Sequence, residues 1–201
     1  MKNNKNITIL DCTLRDGGYY NNWNFSHSLI NSYLKSISKT NINFVEIGFK
    51  SDDKDKTIGV TGKINDNFLK SVNVPKNIGI GVMINSKEFI ENHGGKNTKI
   101  KKYFSNYSKK KLKFVRLATH IQDLFKIGHA IQWLKKNNFI VAVNIMQASE
   151  INIKNIRLYC NFFNNKKVDV LYLADSLGSL RKTEIKKLFF EFKKHFTNEL
   201  G

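Results

Sequence analysis

The stretch Ile7-Thr8-Ile9-Leu10-Asp11-Cys12-Thr13-Leu14-Arg15-Asp16-Gly17-Gly18-Tyr19-Tyr20 decides how this chain is read. An apolar run of strand length gives way to an Arg-Asp pair and then to two glycines. Such a run predicts a parallel strand covered on both faces, with charge at its C-terminal tip. Burying Arg15 and Asp16 without a task would be costly, so the tip is expected to open on a pocket. The paired glycines allow a tight turn and the close approach of a ligand. On residue chemistry alone, Arg15 can clamp an anion or enolate, and Asp16 can act as a hard oxygen ligand for a divalent metal. A structural salt bridge at a strand end is the competing account.

Outward from that stretch, the same alternation of apolar run and helical pattern recurs. Apolar runs at Phe44–Lys50, with Glu46 inside, and at Ile78–Ile84, Phe114–His120, Ile140–Met146 and Val170–Ser176 predict five more strands. Helical spacing covers 27–39 (Leu29, Ile30, Tyr33, Leu34, Ile37), 65–72, the segment carrying Leu124, Ile127, Ile131 and Leu134, about 150–164, and a last stripe of Ile185, Leu188, Phe189, Phe192 and Phe196. Residues 51–63 predict a loop and 86–111 a polar helix and loop region. Strand starts near 7, 44, 78, 114, 140 and 170 repeat at roughly 26–37 residues, the size of a βα unit. Alternating strands and helices imply a parallel sheet, either a doubly wound open sheet or the first six units of an eight-unit barrel. Polar residues at the ends of several strands (Arg15 and Asp16, Glu46, His120, Asn144, Asp175) favour the barrel, which collects its site from all strand ends, over an open sheet, which concentrates it at one switch point. The expected fold is therefore α/β, a (β/α)8 TIM barrel represented by six units, in one domain spanning 1–201. The Gly79-x-Gly81 pair lies within a predicted strand, so it is read as a place of close packing and not as a dinucleotide fingerprint.

Composition narrows the classes of function. The 201 residues are 41% hydrophobic, enough for a real core. No run approaches the ~18 apolar residues a membrane helix needs, and residues 1–6 lack signal-peptide character. Cys12, expected as inert core in a strand, and Cys160, in a helical pattern, lie far apart, which argues against a disulfide framework and fits a reducing cytoplasm. The net charge of +18 would suit a nucleic-acid binder. The lysines are spread along the chain beside abundant Asn and Ile, however, the residue choice of an AT-rich genome, so neither nucleic acid nor membrane is expected as a partner. The dense runs at Lys109–Lys111 and around Lys96–Lys102 read as solvated charge, and His93-Gly94-Gly95-Lys96 as a loop lacking the P-loop pattern. Trp23 and Phe25 read equally as a wall over a substrate or as core.

Asp11-Cys12-Thr13-Leu14-Arg15-Asp16-Gly17-Gly18 resembles the first-strand signature of the metal-dependent aldolase and acyl-transfer barrels, the family of 4-hydroxy-2-oxovalerate aldolase, hydroxymethylglutaryl-CoA lyase and isopropylmalate synthase. Two later stretches follow in the family's order: Val115-Arg116-Leu117-Ala118-Thr119-His120 looks like its fourth strand, and Tyr172-Leu173-Ala174-Asp175-Ser176-Leu177-Gly178 like its sixth. The resemblance spans 7 to about 180. It implies that Asp16 ligates a divalent cation (Mn2+, Mg2+ or Zn2+) and that Arg15 stabilises the enolate formed beside a keto acid. Glu46, Asn144, Asp175 and Ser176 would line the substrate site, and the substrate would be a small keto acid or aldehyde. The chemistry suits the residues, since an enolate carries charge on oxygen and Arg offers a permanently charged planar fork.

Two departures qualify the resemblance. Where these aldolases place a histidine shortly after the Arg-Asp pair, this chain has Tyr19, a proton carrier only if its phenol is made more acidic. His120 is the other candidate for that role, balanced against ordinary packing; His129 reads as a bland helix residue. The family's His-x-His pair on a seventh strand is absent, and the sequence stops where that strand would begin. The expectation is a truncated metal-dependent lyase with weak metal binding and little turnover alone. A catalytically dead barrel kept as a binding or scaffold protein is the alternative, and a homo-oligomer is compatible with either.

Overall fold

The computed structural model describes residues 7–52, 54–90 and 98–201. Its strands are β1 (Leu10–Asp11), β2 (Phe44–Phe49), β3 (Gly79–Asn85), β4 (Phe114–Thr119), β5 (Ile140–Ile145), β6 (Val170–Leu173) and β7 (Glu199–Leu200). Its α-helices are α1 (Thr13–Asp16), α2 (His27–Ile37), α3 (Asp66–Ser71), α4 (Lys87–Ile90), α5 (Thr98–Tyr103), α6 (Asn106–Lys111), α7 (Gly128–Lys136), α8 (Ile156–Asn165) and α9 (Lys182–His195). Two compact units are present, Met1–Met83 with Ser105–Phe114, and Ile84–Phe104 with Val115–Gly201.

In the first unit the strands lie in the order β1-β2-β3. They pair parallel, with Leu10 opposite Phe44 and Phe44 opposite Gly79. Val45, Ile47, Ile80 and Val82 are buried from these strands, and Ile30, Leu34, Phe68 and Leu69 from the helices that cover them. Helix α2 starts cleanly because Ser26 accepts the Leu29 amide at 3.2 Å, a side-chain cap on one of the free N–H groups of the first turn. Asn65 caps α3 in the same way through Phe68. Gly79 and Gly81 are places of close packing, as expected: a Cβ at either would meet the ring of Phe44 or Phe114, which cross edge-on at 5.6 Å.

In the second unit the order is β4-β5-β6-β7. Ala142 pairs with Val170 and Val170 with Glu199, both parallel. Leu117, Val141, Val143, Ile145 and Leu171 form the strand layer of the core, against Ile131, Leu134, Phe163 and Phe192 from helices. Lys135 ties the start of this sheet together by reaching Asp169 at 2.6 Å, while that carboxylate also accepts the Val141 amide at 2.7 Å.

Several expectations need correction. The first strand is two residues long, and Ile7 and Ile9 stand exposed at 85% and 43%. Asp11 ends it by accepting the backbone N–H of Thr13 at 2.9 Å and its hydroxyl at 3.2 Å, a local alternative to the ladder that turns the chain into α1. Arg15 and Asp16 therefore sit on a helical turn one step beyond the strand, and Cys12 is the half-buried residue before that helix, not strand core. Leu124 and Ile127 are buried as expected, but on a 3-10 turn (Ile121–Ile127) ahead of α7. Ile185 leaves the predicted stripe and is 40% exposed. The segment His93–Lys96 lies outside the described residues. No described helix is long and apolar enough to cross a membrane.

Candidate active site

In the first unit Arg15, Asp16 and Tyr19 come just past the end of β1, and Glu46 lies within β2. Helix α1 begins when the Cys12 carbonyl accepts the Arg15 and Asp16 amides at 3.0 and 2.8 Å. That turn carries Arg15 over β2, where its Nε–H donates to Glu46 Oε1 at 2.8 Å. Glu46 is fully buried and the Arg15 side chain 13% exposed, so the guanidinium plane is fixed by a carboxylate out of contact with water. A bond of this kind is charge-assisted and directional. The second edge of the guanidinium pairs with the Asp16 carboxylate, which is 59% exposed. Phe49 lies 5.8 Å beneath the cation.

The glycine pair serves a different purpose from the one its composition suggests. Gly17 is helical, with φ −62°. At Gly18 a side chain would collide with the indole of Trp23, which is the group that approaches closely. Trp23 Nε1–H donates to the Arg15 carbonyl at 2.9 Å. Its ring meets Tyr19 at 4.8 Å and Phe49 at 5.6 Å, both edge-on, so Trp23 supports the Arg15 turn from behind. Tyr19 is 63% exposed.

Sequence reading passed over Lys50. It follows the last residue of β2, is 6% exposed, and its amide donates to the Met83 carbonyl at 2.9 Å. Burial pushes its ammonium pKa down, and the charges of Asp66 and Asp52 offset part of that shift. A lysine at the end of a long apolar run carries no pattern of its own.

In the second unit His120, Asp175 and Ser176 follow the ends of their strands, and Asn144 lies within one. His120 comes directly after β4, and its Nδ1 lies 2.8 Å from Gln147 Oε1. Asn144 is in β5 opposite Tyr172, whose ring takes the Arg116 guanidinium at 5.0 Å. Asp175 accepts the amides of Ser179 at 3.1 Å and Leu180 at 3.0 Å, so its carboxylate braces the turn after β6. Ser176 Oγ accepts the Gln147 amide at 3.3 Å. Gln147 is the other residue that sequence reading missed. Its one sequence-level trace is its place just beyond the fifth apolar run. His129, read as a bland helix residue, packs edge-on against Phe89 at 5.9 Å.

Catalytic metal sites generally use about three protein ligands. No group of three or more His, Cys, Asp or Glu side chains able to hold a metal exists among the described residues. The Asp16 carboxylate is engaged by Arg15. These residues by themselves do not make a metal centre.

No family model matches the sequence, and no curated protein does. Solved structures do. The chain is similar to the N-terminal domain of a candidate aldolase from Bacteroides vulgatus, at 24% identity and a TM-score of 0.80, over 97% of this chain and 63% of that one. It is similar to the carboxyl transferase domain of Rhizobium etli pyruvate carboxylase, solved with pyruvate and biocytin, at 15% identity and a TM-score of 0.76, over 99% of this chain and 35% of that one. The chain thus spans less than two thirds of the length of either. At these identities the likeness establishes the fold: a parallel α/β fold of partial-barrel type, shared with aldolase and carboxyl transferase domains.

Proposed function

We propose that this chain carries the enolate-handling part of a carbon–carbon lyase or aldolase acting on a 2-keto acid or related carbonyl substrate. The observation that carries the reading is Arg15, whose planar guanidinium is anchored through Nε by the buried Glu46 just past a strand end. With Nε committed to Glu46 and one edge to Asp16, the remaining N–H groups are donors for a substrate oxygen. As a proton or carbon leaves the position next to the keto group, charge moves onto the carbonyl oxygen. A donor already aimed at that oxygen stabilises the transition state more than the ground state. The likeness to a carboxyl transferase domain that was solved with pyruvate supports the substrate class.

Tyr19 and His120 are the proposed proton carriers, and Asn144 and Ser176 the proposed polar contacts of the substrate. Asp175 acts indirectly, by holding the turn that presents Ser176. Asp16 would contribute one carboxylate to a divalent metal.

The test is exchange of the pyruvate methyl protons with D2O, followed by NMR with and without added Mn2+. Arg15→Lys retains the charge but loses the fork, and it is expected to lower exchange by about 10²-fold, the usual effect of losing a preorganised donor. Equal exchange in the wild type and the variant would sink the reading. The lack of a three-donor cluster among the described residues favours a second reading, a barrel relative that binds a keto acid without turning it over. In that case pyruvate would bind and no exchange would occur with any metal.

A further inference from the structure

The ends of β4, β5 and β6 are cross-tied by main-chain bonds. Met146 N donates to Thr119 O at 2.9 Å, Ala174 N to Ile145 O at 3.0 Å, and Ala148 N to Ala174 O at 2.9 Å. Gln147 lies between two of these fixed amides, with φ 56° and ψ 50°, in the left-handed region that non-glycine residues avoid.

The other described non-glycine residues with positive φ have local explanations. Asn138 and Lys167 each follow a helix, where Phe139 N reaches back to Leu134 O at 3.2 Å and Val168 N to Phe163 O at 3.1 Å, the usual left-handed helix stop. Asn22 and Trp23 form the turn in which Trp23 N donates to Gly18 O. Gln147 follows a strand and opens the 3-10 turn Ala148–Glu150, its carbonyl accepting the Glu150 amide at 2.9 Å; a helix start calls for extended backbone, so the turn does not account for the left-handed conformation. Instead, its amide meets Ser176 Oγ and its side-chain carbonyl meets His120 Nδ1. Strained backbone held on both sides, with the side chain delivered to an ionisable group, is the pattern of a functional constraint.

A neutral imidazole carries one proton, and an oxygen acceptor at Nδ1 decides where it sits. We propose that Gln147 is a positioning residue that holds His120 as the Nδ1–H tautomer and so places the lone pair on Nε2. Nε2 is then the ring atom able to take up a proton and return it, while Nδ1–H stays bonded to Gln147. The use of Nε2 as proton carrier rests on the function proposed above; the tautomer does not.

The experiment is a two-bond 15N–1H correlation on the histidine-labelled chain at alkaline pH, with His120 assigned by the signal lost in His120→Asn. The wild type is expected to show a pyrrole-type Nδ1 and a pyridine-type Nε2. Gln147→Gly accepts the left-handed backbone, so the fold is kept while the acceptor is lost; His120 is then expected to move to the Nε2–H form or to an averaged mixture. Gln147→Glu keeps an acceptor oxygen and is expected to retain Nδ1–H. An Nε2–H tautomer in the wild type, or an unchanged pattern in Gln147→Gly, overturns the proposal. The expected tautomer pattern in a chain without pyruvate exchange would uphold the positioning and overturn only the function.

Discussion

Two buried charged side chains, Glu46 in β2 and Lys50 just after it, differ in what each one faces. Glu46 has a guanidinium at 2.8 Å. Removing the cation from a buried carboxylate is expensive, so Arg15→Ala is expected to cost about 3–5 kcal/mol of stability, and pairing it with Glu46→Gln should recover much of that. Urea unfolding of the two single variants and the double variant gives the coupling directly; additive costs would show that the pair does not interact. Lys50, by contrast, has its charged form disfavoured, first by burial, with Asp66 and Asp52 compensating in part. Its folded pKa lies below the ordinary 10.5. The unfolded chain therefore binds more protons at this site between the two values, and stability rises with pH across that window. Below the window the whole penalty is present. Lys50→Met is expected to unfold at higher urea than the wild type at neutral pH, with the gap closing as pH approaches 10.5. A gap independent of pH would place the ammonium in a water-like setting.

At the scale of the element, β2 turns on Gly48. Glu46 faces Gly81 and Phe49 faces Met83, so β2 holds one residue more than its partner there, a bulge. Gly48 takes φ 148°, and a Cβ would run into the Thr61 carbonyl that accepts the Phe49 amide at 2.8 Å. Gly48→Ala combines backbone strain with a displaced hydrogen bond and should cost about 3 kcal/mol. Gly17→Ala, at φ −62° with only the tip of Phe25 at 3.8 Å, should be neutral or stabilise by about 0.4–1 kcal/mol through the unfolded chain. Denaturation midpoints of the two variants test the contrast. Sequence reading assigned the turn to the Gly17-Gly18 pair and no role to Gly48, because a Gly-Gly pair advertises a turn whereas a single glycine inside a strand run advertises only small size. Strands β2 to β5 were legible to within a residue or two, since their apolar runs stand out at both edges. The end of β1 was not, because it is set by one carboxylate, Asp11, bonding the amide of Thr13 two residues on. Arg15 and His120 were legible as chemistry. Their holders Glu46 and Gln147 lie 31 and 27 residues away, a pairing that exists only once the strands are in register.

At the scale of the whole molecule, the alternation of strand and helix was enough to reach the α/β class, and the likeness to aldolase and carboxyl transferase domains over nearly the full chain agrees with it. Charge is the global property that local patterns say least about. Thirty-four Lys and Arg stand against sixteen Asp and Glu, a net +18. Folding brings these charges closer together than they are in the unfolded chain, so their mutual repulsion opposes the compact state. Salt weakens that repulsion, shortening the screening length from ~30 Å at 0.01 M to ~8 Å at 0.15 M. Ion pairs such as Lys135–Asp169 are weakened by the same salt, but a partly exposed pair contributes only about 0–1 kcal/mol. With 18 cations in excess the repulsive sum dominates. The urea midpoint should therefore rise as NaCl increases over this range. NaCl is the salt to use, because sulfate also strengthens apolar burial. A midpoint that falls with NaCl would mean that the acidic residues are placed so well among the basic ones that attraction outweighs the excess charge.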